Sequence, residues 1–227
     1  MKTSFFTWLG REFIEIVAEG KAGVPPDVAI QDLFATFESE LKEHGQSLDD
    51  SVRVRVWGRD RAARTLATAA RSRILTGNRK AASSSFISQQ WFDSDGTAGL
   101  ELLAMKPLNS GAERRPVEFE PARNYLCYLE YDSTLFFSGF TSEAETLELQ
   151  TREVLATLDH AFARAGTEWS KVKELSLLVQ RAYGIETTRE VLASVGRLTV
   201  PEIDFMFVDG FAGEKYLLEI EATALKF

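Results

Sequence analysis

Apolar positions along this chain switch between two spacings, one suited to strands and one to helices. In the second half, residues 125–130 and 134–140 are dense in aromatic and aliphatic side chains and predict a strand pair, the second strand carrying Ser138-Gly139. From Ser142 the spacing lengthens. Leu147, Val154, Leu155, Leu158 and Phe162 fall on one helical face, and Ala165-Gly166 ends the helix with glycine just beyond it. VKELSLLV at 172–179 predicts a strand, 186–195 a second helix and DFMFV at 204–208 another strand. After a turn at Gly210 and Gly213, YLLEIEATA at 216–224 closes the series. The order is β-β-α-β-α-β-β.

The first half runs through a matching series. FIEIVA at 13–18 predicts a strand, and 28–43 a helix with Leu33, Phe34, Phe37 and Leu41 on one face, ending at His44-Gly45. SVRVRVW at 51–57, a helix at 61–75, a strand at 84–91 and GLELLAM at 99–105 complete it. Gly45 and Gly166 lie 121 residues apart, and Glu101 and Glu219 lie 118 apart. A near-constant offset across so many elements is an internal duplication. The expected organisation is a domain at 1–106, a linker at 107–121 rich in turn-forming residues, and a domain at 122–227.

Composition narrows the function. A net charge of −8, from 26 Lys and Arg against 34 Asp and Glu, argues against a nucleic-acid or anionic-membrane surface. No apolar run is long enough to span a bilayer and no signal-peptide pattern opens the chain, so a cytoplasmic protein is expected. A single cysteine, Cys127, excludes an internal disulfide and fits a reducing compartment as a small buried residue. With only His44 and His160, a histidine-based metal site is not expected, and no phosphate loop is present; no cofactor is predicted.

Two stretches carry candidate chemistry. In the closing strand Leu218, Ile220 and Ala222 share one face and Glu219 and Glu221 the other, which is either a solvated sheet face or the wall of a polar pocket. In SVRVRVW the valines share one face while Arg53, Arg55 and Trp57 share the other. That basic face is either open to solvent or ion-paired, or it supplies charge for binding an anion. Ser83, Ser84 and Ser85 have no nearby histidine and support no nucleophilic triad.

The second half resembles the Rid family, the reactive intermediate deaminases (YjgF/YER057c/UK114 group). The likeness rests on residues 135–139, Gln150-Thr151, Ala165-Gly166, Val172-Lys173 and LEIEATA from Leu218. The resemblance implies an α/β (α+β) fold of two tandem chorismate-mutase-like domains, each a mixed β-sheet with two helices on one face. It also implies trimers with sites in clefts between domains. Chorismatases are likewise built from two such domains, though longer. Carried over by motif, Glu219 is the pocket glutamate that holds or activates a water, Tyr125 the family's early tyrosine and a second catalytic candidate that donates to substrate unless it is a core aromatic, and Ser138 and Gly139 line the pocket. Glu101 is taken as the first repeat's counterpart of Glu219, with Leu103 where the second repeat has Glu221. The arginine with which Rid deaminases hold a substrate carboxylate is missing: Asp204, or Ile203 with a one-residue shift, stands there. An aspartate repels the anion that a guanidinium would clasp, so Asp204 is taken either as a substrate-binding partner for a cationic nitrogen or as an exposed turn residue.

Three functions follow as expectations. One is a Rid-type enzyme of specialised biosynthesis, a hydrolase, deaminase-like enzyme or lyase carrying out glutamate- and water-assisted hydrolysis, deamination or rearrangement of an imine, enamine or related carbonyl metabolite, but not a standard amino-acid imine deaminase. A second is a chorismatase-like enzyme on a cyclic dicarboxylate, with Arg53 and Arg55 as carboxylate partners. The third is a catalytically silent scaffold. In each the expected partners are a small molecule and further copies of the chain, with no nucleic acid and no membrane.

Overall fold

The computed structural model describes residues 1–109, 111–195 and 199–226. Its elements are β1 (Lys2–Trp8), β2 (Arg11–Glu19), α1 (Pro26–Glu43), β3 (Ser51–Gly58), α2 (Arg61–Ile74), β4 (Ala82–Ile87) and β5 (Ala98–Lys106). They continue with β6 (Arg114–Glu118), β7 (Leu126–Tyr131), β8 (Thr134–Phe140), α3 (Leu147–Ala165), β9 (Val172–Gln180), α4 (Glu186–Ser194), β10 (Glu202–Val208) and β11 (Leu218–Leu225). The first sheet has strand order β1-β2-β5-β3-β4, and the second β10-β9-β11-β8-β7-β6. Set side by side, β7-β8-β11-β9-β10 repeats the first order, and β6 is an addition at the edge. In both, the closing strand is antiparallel to its two neighbours, and the β3–β4 and β9–β10 pairs are parallel across a helix. The chain thus carries two mixed sheets of one topology, each with two helices, as a tandem Rid-like architecture requires.

Contacts divide the chain into two compact units, Met1–Asp132 and Ser133–Phe227. In the first, α1 begins at Pro26 with Asp27 in its first turn and stops before Gly45, whose φ of +72° suits glycine. Asp60 caps α2 by accepting the Ala63 N–H at 2.8 Å. Ala67 and Ala70 then let α2 lie close on the sheet, and Phe34, Phe37 and Leu41 of α1 pack with Val54, Val56, Leu100 and Leu102 into one core. In the second unit, Val154, Leu155, Leu158 and Phe162 of α3 are buried, and Phe162 meets Phe137 edge-on at 4.8 Å. Cys127, on β7, is buried as expected. No described helix is long and apolar enough to cross a membrane.

Four expectations change. Strand β1 was not anticipated, because Phe5 and Phe6 are exposed and KTSFFTW shows no clean alternation. It pairs residue for residue with β2 through a tight turn at Leu9 (φ +52°) and Gly10 (φ +73°). Asp132 (φ +49°) and Ser133 (φ +62°) have the same backbone conformation between β7 and β8. The strand expected at 84–91 leaves the sheet after Ile87, and the helix expected from Ser142 starts at Leu147, capped by Thr146. The stretch expected as a linker contains β6.

That stretch is firmly held within the first unit. Arg114 donates from Nε to the Asn78 carbonyl (3.0 Å) and from Nη2 to the carbonyls of Ser51 (2.8 Å) and Lys80 (3.1 Å). Its guanidinium also lies 5.0 Å from the Tyr131 ring centroid. Arg11 donates to the Asp132 carboxylate at 3.1 Å and to the Leu9 carbonyl at 2.9 Å, while Leu108 N–H donates to the same carboxylate at 2.8 Å. Replacing Arg114 by Ala leaves three backbone acceptors without their charged donor, and is expected to cost about 3 kcal/mol in denaturant unfolding. Tyr131 is pushed up to about 12, first by burial and then by the Asp50 charge. A phenol raised in the folded state keeps its proton where the unfolded chain has lost it. Stability from this group is therefore full below about pH 10 and is lost as pH rises toward 12. In urea unfolding across that window, Tyr131→Phe should flatten the decline.

Candidate functional site

The closing strand of the second unit sits in the middle of its sheet, paired on both sides, and this fixes which way its carboxylates face. Leu218, Ile220 and Ala222 are fully buried, and the residues between them are buried too: Glu219 is 7% exposed and Glu221 only 1%. The opposite face is therefore no solvated surface. On β8, Phe140 pairs with Ile220 and Phe137 with Ala222, so Ser138 and Gly139 together stand opposite Glu221. This β-bulge re-aims the strand at the Ser-Gly pair. Its consequence is steric: a Cβ on Gly139 would lie 1.6 Å from Oε1 of Glu219 and 2.2 Å from its Cδ. The Glu219 carboxylate rests directly on the Gly139 backbone, in space that only glycine leaves open.

Neighbouring strands extend the polar face. Glu221 is level with Ser176 of β9, and Ser176 with Asp204 of β10. One row along, Thr223, Glu174 and Glu202 align. Thr223 Oγ1 donates to Glu174 at 2.8 Å. Loss of hydration raises the Glu202 pKa, and the charges of Glu174 and Asp204 raise it further. Asp204, placed by motif where a Rid deaminase has arginine, is exposed on an edge strand among other carboxylates. It offers no anion-binding charge.

The register revises the match between repeats. In the first unit Glu101 is level with Arg55, and Gly99 with Trp57. In the second, Glu221 is level with Ser176, and Glu219 with Leu178. Both sheets carry an irregularity at the same place, Ser51/Arg53 in β3–β5 and Thr223/Ala224 in β9–β11, which aligns them without a gap. Glu101 therefore corresponds to Glu221, Leu103 to Thr223, and Glu219 to Gly99. Matching Glu101 to Glu219 by an offset of 118 had placed these two residues out, whereas the strand register gives 120, close to the 121 between the helix-ending glycines. At Gly99 a Cβ would lie 2.0 Å from the Trp91 ring, and Trp91 stacks on Trp57 at 5.2 Å. Aromatic rings fill the place that Glu219 holds in the second repeat.

Arg53 and Arg55 are also buried, so their face is not open to solvent. Arg55 Nη1 donates to the Glu101 carboxylate at 2.6 Å. Two residues expected to bind substrate thus pair with each other. Tyr125 lies elsewhere in this unit, half-buried, in a cavity of about 230 Å³. Arg71, Lys80, Ser83 and Arg123 share its lining. Arg123 Nη1 donates to the Tyr125 hydroxyl at 2.8 Å, and its guanidinium stacks over Phe119 at 4.4 Å.

Neither a protein-family model nor a curated protein matches this sequence. The crystal structure of a chorismatase matches over 97% of this chain and 78% of its own, at 16% identity and a TM-score of 0.62. The fold is that of the chorismatase structure. A YjgF/YER057c/UK114-family protein from Mycobacterium tuberculosis matches 50% of the chain and 99% of its own, at 24% identity and a TM-score of 0.44. A YjgF-family protein from Neisseria meningitidis matches 51% of the chain and 96% of its own, at 21% identity and 0.42.

Within this chorismatase-like fold, Ser138, Gly139, Glu219 and Glu221 come together on two adjacent strands. Asp204 is reached through Ser176, while Arg55 with Glu101 and Tyr125 belong to the first unit. Sequence reasoning missed Glu174, Glu202, Arg71, Arg123 and the Trp57–Trp91 stack. Strand alternation could have found Glu174, two residues before Ser176; the cationic cavity residues come from separate elements and leave no local signal. Gly139→Ala should cost about 1–3 kcal/mol by forcing Glu219 off its seat. Because the clash is with that side chain, Gly139→Ala with Glu219→Ala should recover most of the loss, read as a double-mutant cycle in urea.

Proposed function

We propose that this protein is an enzyme acting on a small carbonyl, imine or enamine metabolite, with Glu219 as the acid or base that moves a proton to or from a water. The observation that carries this reading is the Glu219 carboxylate, removed from solvent and seated on the Gly139 backbone. A charge is not taken out of water without cost, and positions that bear such a cost for a mobile proton are typical of catalytic sites. The first repeat supports a division of labour: Glu101 is tied to Arg55, and the place of Glu219 is filled by rings. The reaction class is hydrolysis or deamination, and a lyase step is compatible with the same proton transfer. Ordinary amino-acid imine deamination is disfavoured by Asp204 at the position of the family's arginine.

A second reading, a chorismatase-like reaction on a cyclic dicarboxylate, is favoured by the match in fold across nearly the whole chain. A silent scaffold fits less well, because the cavity beside Tyr125 is open and lined by cations rather than filled by apolar side chains. The reading extends to a cytoplasmic homo-oligomer, a trimer by the family's habit. Exposed Phe5 and Phe6 on edge strand β1 support self-contact. The test is turnover of a panel of amino-acid-derived imines, enamines and chorismate, followed by mass spectrometry. Glu219→Gln should lower kcat by about 10²–10⁴-fold on the accepted substrate while the fold is kept. Equal turnover by wild type and variant would remove Glu219 from the chemistry, and the substrate accepted decides between the two reactions.

A further inference from the structure

The two repeats end their longer helices with the same turn, but only one of them completes its hydrogen bonds. After α1 the Gly45 N–H donates to the Lys42 carbonyl at 3.1 Å and the Gln46 N–H to the Leu41 carbonyl at 2.9 Å. After α3 the Gly166 N–H donates to the Ala163 carbonyl at 3.2 Å and the Thr167 N–H to the Phe162 carbonyl at 3.0 Å. Both glycines are left-handed, at φ +72° and +69°. The residue after such a glycine turns back onto the last helical turn, where an apolar contact commonly forms. Here both residues are polar and buried, Gln46 at 7% exposure and Thr167 at 5%. Thr167 is satisfied, because its Oγ1 donates to the Leu225 carbonyl at 2.7 Å. Gln46 Nε2 has no hydrogen-bond partner among the described residues. A buried donor left unmade destabilises the fold, and an acceptor supplied from outside the chain removes that cost.

Gln46 lines a cavity of about 360 Å³ within the first unit, in the size range of small-molecule sites. α1 packs on β2 and β5, and β1 runs beyond it as the edge strand, so the cavity lies beside the end of the helix. Phe5 of β1 is level with Ile14 of β2, which belongs to the core beneath α1, and so Phe5 stands on the helix side. It is 57% exposed, and its ring meets the His44 ring at 4.6 Å and an angle of 66°. Two flat rings thus border an opening that the chain itself does not cover. The charges of the lining are matched within the protein: Lys106 donates to Glu12 at 2.7 Å, and His44 Nε2 lies 3.7 Å from Glu40. Rings, an amide and balanced charges favour a neutral aromatic ligand over an ion.

We propose that this cavity is a binding site for a small neutral aromatic amide, with Gln46 pairing with the carboxamide and Phe5 and His44 packing against the ring. A glutamine carboxamide carries donors and an acceptor side by side, and a second carboxamide or lactam edge is its complement. The site uses only residues on the helix side of the first sheet, so it stands or falls independently of the role of Glu219.

The experiment is titration of the full chain with benzamide and, separately, with benzoate, read by calorimetry and by amide chemical shifts. Benzamide should bind saturably, with shifts centred on residues 5–7, 12–14 and 44–46. Benzoate should bind at least about tenfold more weakly, because its charge would be buried beside a cation that is already paired. Gln46→Leu supplies the apolar contact that the turn favours, so urea unfolding should show a fold as stable as wild type or more so. The same variant should weaken benzamide about tenfold, the loss of one neutral hydrogen bond. Phe5→Ala, at an exposed position, is a second variant that should keep the fold and weaken benzamide by a similar factor. No saturable benzamide binding, as when a second copy of the chain covers Phe5, would overturn the proposal. So would shifts centred on other residues, equal binding of benzoate, or wild-type affinity in either variant.

Discussion

The register of the two closing strands is the constraint on which the rest depends. Each lies centrally in its sheet and pairs with a neighbour on both sides, so its hydrogen bonds determine which side chains meet the helices and which meet the opposite face. Side chains alternate with a period of two, and a slip of one residue in β11 would drive Glu219 and Glu221 into the layer occupied by Phe137 and Phe162. Burying two carboxylates against phenyl rings without partners is far costlier than any gain such a slip could offer. The bulge at Ser138-Gly139 then adds one residue to β8 without disturbing that choice.

Duplication supplied two copies of this frame, and the copies have diverged in charge. In the first, the face opposite the helices holds Arg53, Arg55 and a tryptophan stack, with Glu101 tied to Arg55. In the second, the same rows hold Glu174, Glu202, Asp204, Glu219 and Glu221. The apolar layers under the helices remained interchangeable in kind because a core tolerates swaps of similar volume. The opposite faces were free to specialise, since strand pairing depends on backbone groups and constrains the side chains on that face little.

Arg114 shows how a segment without repeat equivalence becomes structural. Three backbone carbonyls, of Asn78, Ser51 and Lys80, converge on one guanidinium, which burial holds below the ordinary arginine pKa. Through it β6 is fastened to the loop that carries Lys80, and Tyr125 follows immediately before the next strand. A stretch of prolines, glycine and arginines thereby positions one wall of the basic cavity.

By itself the sequence determined the element order, the duplication and the apolar faces of α1 and α3. These are local signals, read from periodicity, helix-ending glycines and short motifs. Only the tertiary structure decided that both faces of β3 and β11 are buried, that Glu101 matches Glu221 rather than Glu219, and that a Trp91 ring occupies the Glu219 position in the first repeat. It alone gathered Arg71, Lys80 and Arg123 around Tyr125. The physical reason is common to all four: strand register, bulges and cavity walls join residues far apart in sequence, and alternation along one strand carries no information about its neighbour.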